Sequence, residues 1–354
     1  MLLVRHILVP FFVVVFTPFV VSAATAKRSP GTAADNSGSL KGAIVMDAAT
    51  GDVLFEDRAD YSGPPASMTK LMTFAVLHDK LKAGAFALNS PVRIANEDNI
   101  GGTQVFLDPR ETFSVDELIY AMMIQSANDA ARALARFAGG SVPAFIGEMN
   151  AKAKQLGMTH TTFRSPHGLP PTGRRLADND LTTPRDYALL CRHLLLSTDV
   201  LKYSSVSTRD FAPERPKGAF KMENHNKLLG KVAGVDGLKT GFTDAAGYCT
   251  SITAERNGRR LIVVIFGAFG ANGQHDLGRW RDLKAIELLE RGFRALPPGS
   301  PTFASAKTPA SAPAPSSATT DSLLTPAPIA RPSAPPADEL APRIKFPLPP
   351  VKKK

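Results

Sequence analysis

The segment Pro64-Pro65-Ala66-Ser67-Met68-Thr69-Lys70-Leu71-Met72-Thr73 combines a helix start with two reactive side chains. Proline suits the entry and first turn of a helix, where its missing N–H removes no hydrogen bond. Apolar residues then recur at helical spacing, at Leu71, Phe74 and Leu77. We therefore predict Ser67 at a helix N-terminus, with Lys70 on the same helix face and roughly 5–6 Å between their Cβ atoms.

A hydroxyl and an amine at this spacing allow two interpretations. In the first, Ser67 only caps the helix and Lys70 is a solvated surface lysine. In the second, Ser67 is a nucleophile, because the helix dipole and the free N–H groups favour negative charge there, and Lys70 takes the proton from its hydroxyl. The pattern is short, so other segments must decide between the two.

Both ends of the chain differ in composition from the part between them. Arg5 precedes an apolar run over residues 7–21, followed by small residues at cleavage spacing, so we predict a signal peptide over residues 1–24 and a flexible segment over 25–37. The run is shorter than the ~20 residues of a spanning helix, which disfavours a retained anchor.

Residues 297–354 hold about half of the 29 prolines, are rich in Ala and Ser, and end in three lysines. We predict a disordered basic tail there, and one domain over residues 38–296.

Charge and residue types exclude several classes of function. The formal net charge is +10, but part of this excess lies in the two terminal segments, so the body is only mildly basic and does not indicate nucleic-acid binding. The lysine-rich end predicts at most a loose electrostatic attraction to a membrane. The seven histidines show no metal-binding spacing, so we predict no metal and no cofactor. Cys191 and Cys249 lie in apolar surroundings, and buried free thiols are a simpler account than a disulfide.

The order of the predicted elements indicates an α+β fold. Two short strands at 43–46 and 53–55 form an early hairpin, and strands return at 235–242, 248–253 and 261–266. The last two join across Asn257-Gly258, the preferred two-residue hairpin turn. Helices are predicted in between, from a capping box at Ser114 and Glu117, over 130–137 and 143–156, and from Thr183. A final helix over 277–293 would pack on the sheet through Trp280, Leu283, Ile286 and Leu289. We therefore expect an antiparallel sheet flanked by helices, with an inserted helical lobe.

Three short motifs occur in one order along the chain: Ser67-Met68-Thr69-Lys70, Ser126-Ala127-Asn128 and Lys239-Thr240-Gly241. They fall on a predicted helix start, a helix junction and a strand, as in β-lactamases and penicillin-binding proteins. From about residue 38 to 296 the chain resembles the serine D-alanyl-D-alanine carboxypeptidases, the low-molecular-mass penicillin-binding proteins of peptidase family S11. Further matching segments are Gly102-Thr103-Gln104-Val105-Phe106-Leu107, Met149-Asn150, Leu156-Gly157-Met158 and Val235-Asp236-Gly237-Leu238.

The resemblance implies a β-lactamase/transpeptidase-like fold and acyl transfer through Ser67. Lys70 would be the base, and burial beside Lys239 would lower its pKa, since desolvation and like charge both disfavour protonation. Ser126 would relay a proton toward the leaving amine. Asn128 would hold Lys70 and the substrate amide.

The resemblance also implies how substrate is bound. The backbone N–H groups of Ser67 and Phe242 would form the oxyanion hole, and Gly241 completes the strand motif beside them. Thr240 and an arginine would receive the terminal carboxylate of the substrate. We favour Arg281, twelve residues before Phe293 as the family pattern places it, and Arg279 is its rival.

The implied activity is removal of the terminal D-alanine from peptidoglycan pentapeptides, with inhibition by β-lactam antibiotics. A D,D-endopeptidase that cuts cross-links would use the same groups. A class A β-lactamase would need a glutamate before the strand motif, and residues 151–213 contain none. A peptidoglycan-binding protein without activity is the remaining alternative. Many members continue into a β-rich module and an amphipathic helix, and neither pattern follows residue 296, so we expect a periplasmic protein, free or peripheral at the inner membrane.

Overall fold

The computed structural model describes residues 38–171 and 175–307. The predicted signal peptide and flexible segment, and the predicted tail from residue 308 onward, lie outside the described residues. The strands are β1 (Gly42–Asp47), β2 (Val53–Asp57), β3 (Pro91–Arg93), β4 (Thr112–Ser114), β5 (Thr208–Phe211), β6 (Phe220–Glu223), β7 (Val235–Thr243), β8 (Gly247–Arg256) and β9 (Arg259–Ala268). The helices are α1 (Lys70–Lys82), α2 (Val115–Tyr120), α3 (Asn128–Gly139), α4 (Val142–Gln155), α5 (Pro184–Ser197), α6 (Val200–Ser204), α7 (Arg279–Ala295) and α8 (Phe303–Lys307).

Five of these strands form one antiparallel sheet in the order β2-β1-β9-β8-β7. Strand β9 is buried along almost its whole length because helices cover both faces of the sheet. Its side chains alternate between the two sides: Leu261, Val263 and Ile265 pack toward α7, and Ile262, Val264 and Phe266 pack toward the helices of the lobe. The predicted α+β arrangement is confirmed, with the N-terminal hairpin and the C-terminal strands in a single layer.

The helical lobe lies in the chain between β2 and β7, as predicted, and its helix starts follow local signals. The hydroxyls of Ser114 and Thr183 accept hydrogen bonds from the amides of Glu117 and Asp186 and so cap α2 and α5. The predicted capping box is only half realised, however. The carboxylate of Glu117 accepts from Arg209 and from the Ala212 amide, because the hairpin of β5 and β6 packs against this helix start.

The turn between β8 and β9 also forms as predicted. Asn257 and Gly258 have φ values of 51° and 74°, the two left-handed residues that a tight hairpin of this kind requires. The two strands continue in register from Arg256 opposite Arg259 to Thr250 opposite Ile265. This hairpin aligns β8 next to β7, which carries the Lys239-Thr240-Gly241 motif.

Two sequence predictions at the C-terminal end are wrong in detail. Helix α7 buries Ala285, Leu288, Leu289 and Gly292, whereas Leu283 is 57% exposed. The buried stripe follows steps of three and four residues, and the predicted face used steps of three alone and drifted off it. The predicted tail boundary at residue 297 is too early, because α8 packs Phe303 into the core and its amide donates to Gly258 O.

Two further findings concern the cysteines and the possibility of a membrane-spanning helix. Cys191 and Cys249 are buried free thiols. Over residues 38–171 and 175–307, no helix combines the length and apolar character needed to cross a bilayer.

Candidate active site

The first motif forms a tight helical entry. Residues Ala66–Thr69 make one 3-10 turn that runs directly into α1, and the N-cap position of α1 is Thr69. Ser67 therefore does not cap the helix, and its Oγ lies 3.0 Å from Nζ of Lys70. Lys70 is fully buried rather than solvated. Both parts of the first interpretation, a cap beside a surface lysine, are excluded.

Three oxygens surround the amine of Lys70. Besides Ser67 Oγ, its Nζ contacts Oδ1 of Asn128 and the backbone carbonyl of His167, each at 2.7 Å. The amide of Asn128 is oriented by its other end, since Nδ2 donates to Gly101 O at 3.0 Å. A neutral amine has two N–H groups and one lone pair. With the two carbonyl oxygens accepting the N–H groups, the lone pair is left for the proton of the Ser67 hydroxyl.

The charges around Lys70 favour this neutral state. Burial lowers the pKa of Lys70 well below its usual value, and the positive charge of Lys239 lowers it further. Burial and the charge of Arg281 in turn lower the pKa of Lys239 to about 7. The positive charge of Arg281 thus disfavours protonation of Lys239, and the positive charge of Lys239 disfavours protonation of Lys70. Asp129 and Asp180 oppose this effect on Lys70.

The second motif lies where the chain passes from a π-helical turn over Ala121–Gln125 into α3. Ser126 adopts a left-handed conformation at this junction, with φ of 64°. Its hydroxyl is buried, and among the described residues it has no hydrogen-bond partner. A buried hydroxyl without a partner costs free energy, roughly 1–3 kcal/mol. We therefore expect this oxygen to find its partner in substrate or water.

The third motif lies on the edge strand β7, which passes close to the turn that carries Ser67. A Cβ built on Gly241 would lie 2.9 Å from Ser67 N and 2.7 Å from Pro65 O, so only glycine permits this approach. Lys239 is buried and donates to Thr240 O at 3.2 Å. Phe242 is 40% exposed and stacks on Tyr248, its partner in the neighbouring strand, with ring centroids 4.3 Å apart.

A cleft of about 350 Å³ opens between these motifs. The predicted residues that line it are Ser67, Ser126, Thr240, Gly241, Phe242 and Arg281. The other three predicted site residues, Lys70, Asn128 and Lys239, are buried behind its wall. Arg281 is buried and paired with Asp282 at 2.7 Å, whereas the rival Arg279 is exposed and is not part of the cleft wall. All nine predicted residues thus belong to one site.

The segment 164–168 was not predicted as part of the site, although it contacts both the Ser67 turn and the amine of Lys70. Asp180 accepts hydrogen bonds from the amides of Arg164 and Ser165 and from the hydroxyls of Ser165 and Thr69. This carboxylate therefore ties the segment to the Ser67 turn and presents the His167 carbonyl to the amine described above. Burial raises the pKa of Asp180, and its four donors oppose that shift. The group that accepts from Lys70 is the backbone carbonyl of His167, and because every residue type has such a carbonyl, the sequence does not reveal it.

The cleft is also lined by five side chains to which the sequence assigned no role: Thr103, His225, Lys227, Tyr248 and Leu277. Burial and the charge of Lys239 lower the pKa of His225 to about 4, so this imidazole is neutral at pH 7. In the described part of the chain, no group of three or more His, Cys, Asp or Glu side chains is arranged to hold a metal ion. The contact of Ser67 Oγ with Lys70 Nζ matches nucleophilic and acid–base chemistry.

Comparison with known proteins decides the family. The sequence profile of peptidase family S11, D-alanyl-D-alanine carboxypeptidase, matches residues 29–270. This chain belongs to the D-alanyl-D-alanine carboxypeptidase family. The D-alanyl-D-alanine carboxypeptidase DacF of Bacillus subtilis is 33% identical over 267 residues, which cover 75% of this chain and 66% of that relative. The chain thus spans about two thirds of the length of this family member.

Two further proteins place the family match in context. The D-alanyl-D-alanine endopeptidase of Escherichia coli is 30% identical over 264 residues, covering 72% of this chain and 79% of its own length. The crystal structure of penicillin-binding protein D2 from Listeria monocytogenes in the ampicillin-bound form superimposes with a TM-score of 0.61 at 34% identity. That match covers 72% of this chain and 97% of the Listeria protein. The predicted penicillin-binding-protein fold is therefore confirmed.

The supporting segment yields a prediction about stability. Gly168 has φ of +84°, and a Cβ there would lie 1.9 Å from Ala66 O, in the turn that carries Ser67. Gly168→Ala is expected to lower the free energy of unfolding by at least ~2 kcal/mol, because strain and a backbone clash combine.

The matched control is Gly157→Ala, at φ of +75° with no atom within 4 Å of its built Cβ. Backbone strain alone should cost it about 1 kcal/mol. Chemical denaturation of both variants separates the two contributions. Equal losses in the two variants would show that the close approach to Ala66 has no energetic consequence.

Proposed function

We propose that this protein is a serine-type D-alanyl-D-alanine carboxypeptidase that removes the terminal D-alanine from peptidoglycan stem pentapeptides. The observation that carries the proposal is the contact of Ser67 Oγ with a buried Lys70 amine, whose two N–H groups have carbonyl acceptors of their own. Ser67 lines the cleft with Lys70 buried behind it, and the buried Arg281 is part of the same cleft wall. That arrangement suits a peptide that ends in a free carboxylate.

In the acylation step, Lys70 accepts the proton of Ser67 as Oγ attacks the carbonyl of the penultimate D-alanine. The N–H groups of Ser67 and Phe242 stabilise the oxyanion, which is supported by the close approach of β7 at Gly241 to Ser67 N. The hydroxyl of Ser126, which has no hydrogen-bond partner among the described residues, donates its proton to the leaving amine of the last D-alanine and regains a proton from the Lys70 ammonium. The C–N bond breaks, and an ester on Ser67 remains.

In the deacylation step, water adds to the ester carbonyl, the bond to Ser67 Oγ breaks, the shortened peptide leaves as a carboxylic acid, and one proton of the water returns to Oγ. For the natural acyl group, the departure of the amine leaves room for that water. A penicilloyl group keeps its leaving amine tethered in the cleft, and residues 151–213 contain no glutamate to activate a water. We therefore infer that β-lactams acylate Ser67 and leave it slowly, which makes them inhibitors rather than substrates.

Arg281 is proposed to bind the terminal carboxylate together with Thr240. Arg281→Gln is expected to lower kcat/KM for D-alanine release by about 10- to 100-fold, mainly through KM, because a hydrogen bond to a charged group contributes about 1.5–3 kcal/mol. Arg279→Gln is the matched control and should stay within about twofold, since Arg279 is exposed on the same helix. A larger loss for Arg279→Gln would reverse the assignment.

The competing activity is cleavage of peptidoglycan cross-links, the activity in the name of the Escherichia coli relative. The deciding experiment digests purified pentapeptide and cross-linked dimer separately with the protein. Mass spectrometry then quantifies free D-alanine from the first and resolved monomers from the second. The carboxypeptidase proposal expects faster release of D-alanine at equal substrate concentration. Resolution of dimers at the greater rate would replace it with an endopeptidase.

The substrate also bears on location. Peptidoglycan lies outside the inner membrane, so the proposed activity requires export, in line with the signal peptide predicted over residues 1–24. We infer a periplasmic protein that is free or peripheral at the inner membrane. Fractionation that recovers it in membranes at high salt would contradict a merely electrostatic attachment.

A further inference from the structure

Leu277 is the most exposed of the large apolar side chains in the described part of the chain, at 90% of its accessible area. It nevertheless belongs to a binding site, because it lines the cleft with Thr240, Phe242 and Arg281. Single exposed leucines are common on protein surfaces and carry no meaning by themselves. A leucine at the rim of a cleft lined mainly by polar side chains, in contrast, offers apolar surface to the ligand.

The backbone holds Leu277 in this position. Oδ1 of Asp276 accepts from Gly278 N at 3.0 Å, and Oδ2 accepts from Trp280 N at 2.6 Å, so the turn is fixed to the start of α7. Leu277 and Gly278 are both left-handed, with φ of 59° and 81°. This conformation is uncommon for a leucine.

The same turn fixes Leu277 relative to Arg281. A Cβ on Gly278 would lie 2.9 Å from the guanidinium carbon of Arg281, so the guanidinium packs directly against the turn. A ligand group bound to Arg281 therefore lies next to the turn that carries Leu277. Phe242 and Tyr248 supply the other apolar surfaces of this part of the cleft.

We propose that Leu277 contacts the side chain of the leaving amino acid and makes this end of the cleft selective for a small apolar residue such as alanine. This inference rests on the proposed function, in which Arg281 binds the carboxylate of the leaving residue. The carboxylate and the side chain of an amino acid are attached to the same Cα. A residue held by its carboxylate at Arg281 therefore has its side chain near the surfaces next to Arg281.

A methyl group in contact with these apolar surfaces would be removed from water together with part of Leu277, which favours its binding. The leaving residue of a cross-link differs, because its side chain is long, polar and continues into a second stem peptide. Such a chain has to pass the side chain of Leu277. The residue thus favours release of D-alanine over cleavage of cross-links.

The test compares Leu277→Ala and Leu277→Asn with the wild-type protein. Asparagine tolerates the left-handed backbone and so preserves the turn, whereas both variants remove the branched apolar end. For each, kcat/KM is measured with pentapeptide and with cross-linked dimer. We expect kcat/KM for pentapeptide to fall about 3- to 10-fold, and the ratio of dimer to pentapeptide to rise about tenfold. Leu283→Ala is the matched control, since Leu283 is apolar, exposed and on α7 but outside the cleft lining.

The outcomes distinguish a failure of this inference from a failure of the proposed function on which it rests. Stoichiometric labelling of Ser67 by a fluorescent penicillin in every variant verifies that the site is intact. With intact sites, an unchanged ratio in both Leu277 variants overturns the role of Leu277 and leaves the carboxypeptidase standing. An equal shift in Leu283→Ala overturns it as well. A wild-type protein that neither takes the label nor releases D-alanine refutes the proposed function and this inference with it.

Discussion

Ser67→Ala is expected to abolish both D-alanine release and covalent labelling by penicillin. The variant lacks the only atom that the proposed mechanism uses to form the acyl bond, and no other hydroxyl lies in contact with Lys70 Nζ among its described partners. Activity should fall to the background of the uncatalysed reaction. Intact-protein mass spectrometry after incubation with a penicillin measures the loss directly, since the wild-type protein gains one adduct.

The fold of this variant should remain intact. Ser67 does not cap α1, and its hydroxyl makes one hydrogen bond to a side chain that keeps two others. The change in the free energy of unfolding is therefore expected to stay within about 1 kcal/mol. Ser62→Ala is the control, an exposed serine five residues upstream that should keep full labelling. An adduct that persists in Ser67→Ala would place the nucleophile elsewhere.

The elements that the sequence predicted correctly are those whose signals are local. The Asn257-Gly258 turn, the Thr183 cap and the apolar strand over 261–266 each depend on residues within a few positions of one another. The three motifs were also readable, and they supply seven of the nine predicted site residues, whereas Phe242 and Arg281 came from the family resemblance. The approach of β7 to the Ser67 turn required glycine at 241, and that residue was part of a motif already.

The elements that the sequence did not reveal depend on contacts between distant residues. Asp180 reaches Thr69 across 111 positions, and neither residue belongs to a recognisable spacing with the other. His167 contributes a backbone carbonyl, which every residue type possesses. Leu277 was the first residue of the predicted final helix, whereas the observed helix begins at Arg279 and Leu277 lines the cleft. The half-formed capping box at Glu117 has the same cause, since a hairpin distant in sequence captures the carboxylate.

Lys70→Met is the second change for which a large loss is expected. Methionine fills nearly the same volume and removes the amine that contacts Ser67 Oγ and is placed to take its proton. General-base catalysis contributes about 10²- to 10⁴-fold, so the rate of acylation by a fluorescent penicillin should fall by that factor. Lys82→Met, an exposed lysine at the end of the same helix, is the control and should react at the wild-type rate.

The pH dependence distinguishes a base from a merely structural lysine at this position. Only the neutral amine accepts a proton, and burial beside Lys239 lowers the pKa of Lys70 well below 10.5. The wild-type acylation rate should therefore rise with pH and level off well below 10.5. The Lys70→Met variant should lose that rise while its residual rate stays measurable. An acylation rate in Lys70→Met that equals the wild-type rate, or that keeps the same pH profile, would require a different base.

The lowered pKa of Lys70 also predicts how the stability of the wild-type protein, compared with Lys70→Met, changes with pH. In the wild-type protein, the folded chain releases the Lys70 proton at a lower pH than the unfolded chain does. Between those two pKa values the unfolded state binds more protons, so the free energy of unfolding gains a contribution that increases with pH. Below the lowered pKa, folding buries a charged ammonium and the contribution is lost. Denaturation of the wild-type protein and Lys70→Met at several pH values should therefore show a difference that shifts in favour of the wild type as pH rises.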